Sequence, residues 1–261
     1  MIDLGIWMIR GGSFGFDATT KLILAIVAIL ICVYDWKKNK RKDYLWVFLI
    51  GILIWTAVEI ISQATGMREM PVHLLFGIEI PYYIGAILQG AAEGAYVAVL
   101  GLFIADSFFI KRDRRDSVLA LIILLVPSIL GLAVEGIQTP DYGGVVPSRR
   151  LMFTPMATIY LAISIVVSVV WLLKTNPEFR RRAIYMFVGM VAIAVVFTVF
   201  DYFSGVRWIE VGPVGGPWLH APLLTEFGAL NYDIFIEIAA AYVPFLVLPC
   251  VFRLIKSKQK E

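Results

Sequence analysis

The stretch "DYLWVFLIGILIWTAVEIISQATG", residues 43–66, decides the fold. From Tyr44 to Val58 it carries no charge, and its apolar run over 44–64 matches the ~20 residues that a helix needs to cross the hydrocarbon core of a bilayer. It follows the basic block "KKNKRKD", 37–43, and it ends on an acid, Glu59, with Ser62 and Gln63 just beyond. The rest of the chain repeats this grammar. Of 261 residues, 60% are hydrophobic and only 16% charged, and the mean hydropathy is +0.82. A water-soluble domain cannot bury that much apolar surface, so the expected partner is the lipid bilayer.

Working outward from 44–64, the apolar runs predict seven spans, at about 20–36, 44–64, 80–106, 117–137, 152–174, 183–203 and 232–255. The expectation is an all-α polytopic membrane bundle of seven transmembrane helices, forming one domain over 1–261. Residues 1–19 have no basic n-region and are expected to lie at the outer interface, anchored by Trp7 and Phe14. Four basic blocks, "KKNKRKD", "KRDRR", "KTNPEFRRR" and "RLIKSKQKE", hold 17 of the 23 Lys and Arg residues. The positive-inside rule places them and the C-terminus in the cytoplasm and the N-terminus outside. The 204–231 segment, rich in Gly, Pro and Trp, is then a long outer loop. A plasma-membrane location is expected, or the endoplasmic reticulum in a eukaryote.

Several function classes drop out. The net charge of +3 is small and its cations sit in short blocks between spans, so no nucleic acid is expected. His73 and His220 both fall in links, which excludes a bis-His haem site within the bundle. Cys32 and Cys250 form no CxxC motif and read as apolar fillers. No HExxH or DDxxD motif occurs, and no cofactor or metal is implied. The last span has no Lys before its cytoplasmic end, which argues against a retinal protein.

The informative residues are acids inside apolar helices, where a charge costs roughly 2.5–3.5 kcal/mol. Five lie away from the cytoplasmic ends: Glu59, Glu93, Glu135, Asp201 and Glu237. Glu93 falls near mid-span, and the other four fall toward the outer side. Asp35 and Asp106 sit beside basic residues and are expected at the cytoplasmic interface. Trp55 precedes Glu59 by four residues on one helix face, Gln89 and Tyr96 bracket Glu93, and Tyr242 follows Glu237 by five. Glu59, Glu93 and Glu237 are the candidate catalytic groups. Trp55, Gln89, Tyr96, Glu135, Asp201 and Tyr242 are candidate ligand contacts. The bland alternatives are interfacial acids, helix-packing hydrogen bonds and aromatic belts.

Two function classes remain open. A proton- or cation-coupled transporter, channel or receptor-like bundle could use such acids, although the cytoplasmic half is expected to lack matching ones. An intramembrane enzyme could use a neutral carboxylic acid to protonate an alkene or epoxide, with aromatic faces steadying the cation. Three segments carry a resemblance: "AVEIISQ" around Glu59, "LGLAVEG" around Glu135 and "DIFIEIAAAYVPF" around Glu237. With the span number and length, they resemble the small seven-span transmembrane terpene cyclases of fungal meroterpenoid pathways. In this chain Val58 stands where that family has Trp, Trp55 lies one turn earlier, and Glu237 replaces an Asp. The resemblance implies acid-initiated cyclisation of a hydrophobic isoprenoid-like molecule, with Glu59 and Glu237 sharing the proton transfers.

Overall fold

In the computed structural model the described residues are 7–10, 17–70, 72–135, 148–151, 154–210, 217–235 and 238. The chain is mostly helical. Its helices are α1 (Thr19–Asn39), α2 (Asp43–Ala64), α3 (Tyr82–Ile110), α4 (Arg114–Glu135), α5 (Pro155–Lys174), α6 (Pro177–Ser204) and the short α7 (Leu223–Tyr232). Among the described residues, α1, α2, α3 and α6 are long and apolar enough to cross a membrane. Residues 236–237 and 239–261, most of the expected last span, lie outside the described residues.

Helix α3 is the axis of the bundle. In its most apolar window 78% of residues are buried, against 28–39% in the other three long helices. Small residues make this possible, because without a solvent-driven hydrophobic force helices in lipid gain most by close backbone approach. A Cβ added at Gly94 would stand 2.5 Å from the Trp55 Cβ, and one at Gly189 would stand 2.7 Å from the Gly101 carbonyl oxygen. Helix α6 starts as local chemistry demands. Asn176 accepts the Glu178 N–H, Pro177 occupies the first turn, and Gly205 ends the helix in the left-handed region.

Twice, α3 widens into a π-helical turn: at Gly90–Tyr96, which carries Glu93, and at Ala105–Ile110, which carries Asp106. Such turns are rare and occur frequently at functional sites. Between them, Ala98, Val99, Leu100, Leu102 and Phe103 form a dry middle.

The all-α expectation needs correction. Five segments outside the helices pair into an antiparallel sheet in the order β2-β5-β1-β6-β7 (β1, Trp7–Arg10; β2, Arg68–Glu69; β5, Ser148–Leu151; β6, Arg207–Glu210; β7, Trp218–His220). Residues expected as an interfacial segment thus supply the central strand, and the 204–231 loop supplies two more strands and α7. A small hairpin, β3 (Leu74–Leu75) and β4 (Ile78–Glu79), turns through Phe76 and Gly77, both at positive φ as a two-residue hairpin turn requires. The Asp17 carboxylate accepts the Thr19 and Gly77 N–H groups, tying the start of α1 to that turn.

The opposite end collects the links 40–42 and 111–113 and the first turns of α2, α4 and α6. There Arg182 on α6 donates to Asp106 on α3 at 2.9 and 2.7 Å and to Asp43 on α2 at 2.6 Å. Arg41 reaches Asp35 and Asp106, the Tyr44 hydroxyl donates to Asp106, and Lys38 pairs with Asp113 and Asp116. Asp35 and Asp106, expected at an interface beside basic residues, lie at this linked end and are 2% and 1% exposed, because Arg41 from the link and Arg182 from α6 meet them and make their burial tolerable.

Candidate functional site

At the sheet end, α2 and α3 present Glu59 and Glu93 to one guanidinium. Arg68, four residues past the end of α2, turns back from strand β2. Its Nη1 donates to Glu59 Oε2 at 2.6 Å and to Glu93 Oε2 at 3.3 Å, and its Nη2 donates to Glu93 Oε1 at 3.4 Å. The other Glu59 oxygen accepts from Gln63 Nε2 at 2.6 Å. The Trp55 indole N–H reaches Glu93 Oε2 at 3.5 Å. Strand pairing aims this arginine. Glu69 opposes Arg149 in the ladder and its carboxylate accepts from Arg149, and alternation along the strand sends the neighbouring Arg68 the other way, into the helices. Burial opposes the Arg68 charge, but Glu59 and Glu93 more than offset it and hold the guanidinium above its ordinary value.

Two further groups close this layer. Lys21 on α1 is 2% exposed, and His73, between β2 and β3, is 5% exposed. The His73 ring packs directly against Gly85 and edge-on to Tyr82; a Cβ at Gly85 would meet His73 Nδ1 at 2.2 Å. Burial pushes the His73 pKa down, the nearby Lys21 and Arg68 charges add to that, and Glu59 opposes it. Four polar atoms around the layer are buried without a hydrogen-bond partner: Thr56 Oγ1, Arg68 Nε, His73 Nε2 and Gln89 Nε2. Buried polar atoms are nearly always satisfied, so these four call for an explanation.

A second centre surrounds Arg207 on β6, whose side chain is 1% exposed. It pairs with Asp201 at the end of α6 at 2.8 Å, with Glu226 on α7 at 3.1 Å and with Asp233 just past α7 at 3.7 Å. Burial again works against the charge, and the three acids together raise the arginine above its ordinary value. Arg149 bridges Glu69 and Glu210, and Arg150 lies over the Tyr232 ring. Arg68 and Arg207 therefore fasten the sheet to the helices by ion pairs, Arg150 adds a ring contact, and Arg149 ties strands to one another.

The structure thus brings Glu59, Glu93 and Trp55 together, with Gln89, 1% exposed, one turn from Glu93. Tyr96 turns away, its hydroxyl donating to the Ile123 carbonyl on α4. Asp201 belongs to the Arg207 centre. Glu135 is the last residue of α4, and its side chain, like Glu237 and Tyr242 altogether, lies outside what is described. The site residues that the acid pattern missed are Arg68, His73, Lys21 and Thr56. One signal was available: outside the four basic blocks the remaining cations are Arg10, Lys21, Arg68, Arg149, Arg150 and Arg207. All but Lys21 lie on strands of the one sheet, and Lys21 lies in the first turn of α1.

Among the described residues no cluster of three or more His, Cys, Asp or Glu could hold a metal ion. Comparison with protein-family models, with curated proteins and with solved structures finds no match to this chain. The chemistry must therefore be argued from the site alone.

Proposed function

We propose that this chain is an integral membrane enzyme of seven spans that cyclises an isoprenoid-like lipid by proton transfer at the Glu59–Arg68–Glu93 layer. Gathering of the described basic links at one end supports placing that end in the cytoplasm and the sheet end outside. The observation that carries the reading is that two glutamates from adjacent helices meet at one buried guanidinium beside Trp55. Both Glu59 oxygens already accept short hydrogen bonds, so Glu59 anchors Arg68. Glu93, on the π-helical turn with longer contacts to Arg68 and Trp55, is the carboxylate that takes up a proton from water before the step and so becomes the proton carrier. As its O–H bond breaks, a C–H bond forms at an alkene, and the carbocation closes a ring by attack of a second double bond. The Trp55 face steadies the cation, loss of a ring proton to a second carboxylate ends the cyclisation, and exchange with water returns both carboxyls to their starting states. The family resemblance shares the proton transfers between Glu59 and Glu237, and with Glu59 held by Arg68 and Gln63, Glu237 is the candidate to accept that ring proton.

The test is incubation of the purified protein in nanodiscs with a panel of prenylated and epoxidised lipids. Cyclised product is expected from wild type and is lost in Glu93→Gln and reduced in Glu59→Gln. An unchanged panel with wild type sinks the enzyme reading.

One observation favours transport as a second reading. Buried charge layers lie at both ends of α3, each at a π-helical turn, with the apolar middle between them. That is the layout of two gates around a closed centre. Proton or cation flux into proteoliposomes, lost in Arg68→Leu, would select it over catalysis.

A further inference from the structure

Helix α3 carries a stripe of three residues spaced one turn apart: Gly85, Gln89 and Glu93. His73 packs on the first, and Arg68 binds the third. The middle residue, Gln89, is 1% exposed, and its amide nitrogen has no partner. The same holds for Arg68 Nε, whose guanidinium binds Glu93, for His73 Nε2, whose ring lies on Gly85, and for Thr56 Oγ1, which lies against the position of Gly90. Arg68 Nε–H and the Gln89 amide N–H can only donate. Thr56 and His73 can do either. What the layer lacks is therefore an acceptor. An anionic acceptor is disfavoured, because the Glu59 and Glu93 carboxylates already flank the position. A neutral oxygen satisfies the donors without adding charge to a buried layer.

We propose that Gln89, Arg68 Nε and Thr56 form a subsite for a neutral carbonyl or hydroxyl oxygen at the polar end of an otherwise apolar ligand. His73 forms its outer wall. The subsite fixes the register of the ligand relative to Glu93, one turn away. The inference rests on the reading of an apolar, isoprenoid-like ligand, and adds to it that the ligand is oxygenated at one end.

The experiment measures saturable retention of tritiated farnesylacetone, a ketone, by the protein in nanodiscs, with empty nanodiscs as the blank. The matched probe is the hydrocarbon in which a methylene replaces the carbonyl. Wild type is expected to hold the ketone about five- to tenfold more tightly than the hydrocarbon. Gln89→Leu is expected to bring that ratio close to one while leaving hydrocarbon retention in place. Thr56→Val, an isosteric change, reduces the ratio and supplies the test on its own if the Gln89 variant does not fold. If wild type binds both probes equally, the subsite is overturned and the apolar-ligand reading stands. If the ratio survives in both variants, the subsite is overturned as placed. If neither probe is retained saturably, both readings fall.

Discussion

The two ends of the bundle solve one problem in two ways. At each, an acid on α2 and an acid on a π-helical turn of α3 meet a buried arginine: Asp43 and Asp106 with Arg182 at one end, Glu59 and Glu93 with Arg68 at the other. The source of the arginine differs. Arg182 projects from the first turns of α6, a helix of 28 residues, and makes three bonds of 2.6–2.9 Å. Arg68 projects from a two-residue strand, and only one of its three contacts with the two acids is that short. Two acids and an arginine are thus not a site by themselves. The Arg182 end is a lock built from rigid parts. The Arg68 end is held by a strand through longer contacts, and among the described residues it has four buried polar atoms without partners against two, Asp35 Oδ2 and Arg41 Nε, at the lock; that difference makes it the candidate for chemistry.

The largest expected effect is at the lock. Arg182→Leu leaves Asp43 and Asp106 buried without their main counter-charge, and should cost about 3–5 kcal/mol of stability. The check is the thermal midpoint of the purified protein in detergent. Arg68→Leu should cost less, about 1.5–3 kcal/mol, because a strand-borne arm can relax, yet it should abolish turnover or flux altogether. If the two substitutions destabilise equally, or in the reverse order, the distinction between lock and site is wrong. Gly189→Ala probes the dry middle that separates the ends. Its new methyl would press on the Gly101 carbonyl oxygen, so a loss of about 1–3 kcal/mol is expected without a change in ligand preference.

The smallest effect is a pH dependence specific to the sheet end. The folded pKa of His73 lies below its unfolded value of about 6.5, because burial and the Lys21 and Arg68 charges disfavour the imidazolium. Its contribution to stability is therefore present above about pH 6.5 and is lost as pH falls toward the folded value. Unfolding midpoints measured from pH 7.5 down to 5 should decline in wild type. The part of that decline due to this residue should vanish in His73→Gln, and a decline unaltered by the substitution would remove His73 from the account.

Hydropathy alone locates the long helices. Thr19–Asn39 and Asp43–Ala64 cover their expected spans and Tyr82–Ile110 starts two residues inside its own, since a run of apolar residues is a local signal. The sheet was invisible for a physical reason. Strands of two to four residues are too short to show alternation, and their register is set by partners as distant as residues 7 and 151. Glu59, Glu93 and Trp55 stood out as candidates because an acid in an apolar helix must be compensated. The compensating group did not, because "MREMPV" reads as an ordinary link and nothing local says that Arg68 folds back onto the helix it has just left. The burial of Asp106 is hidden for the same reason: its principal partner is 76 residues further along the chain.

The strand that aims Arg68 has consequences for biosynthesis. Within the sheet, β2 is an edge strand whose one neighbour is β5, and β5 in turn leans on β1, which is made first of all. A nascent chain therefore carries Glu59, Arg68 and Glu93 long before the register that joins them exists. The delay between β2 and β5 is some 80 residues, about 4–16 s at ordinary elongation rates. During that interval the acids must be shielded by protonation, by water or by a chaperone. Closure of β5 onto β2 is then a maturation step that distinguishes a finished molecule from one still under construction.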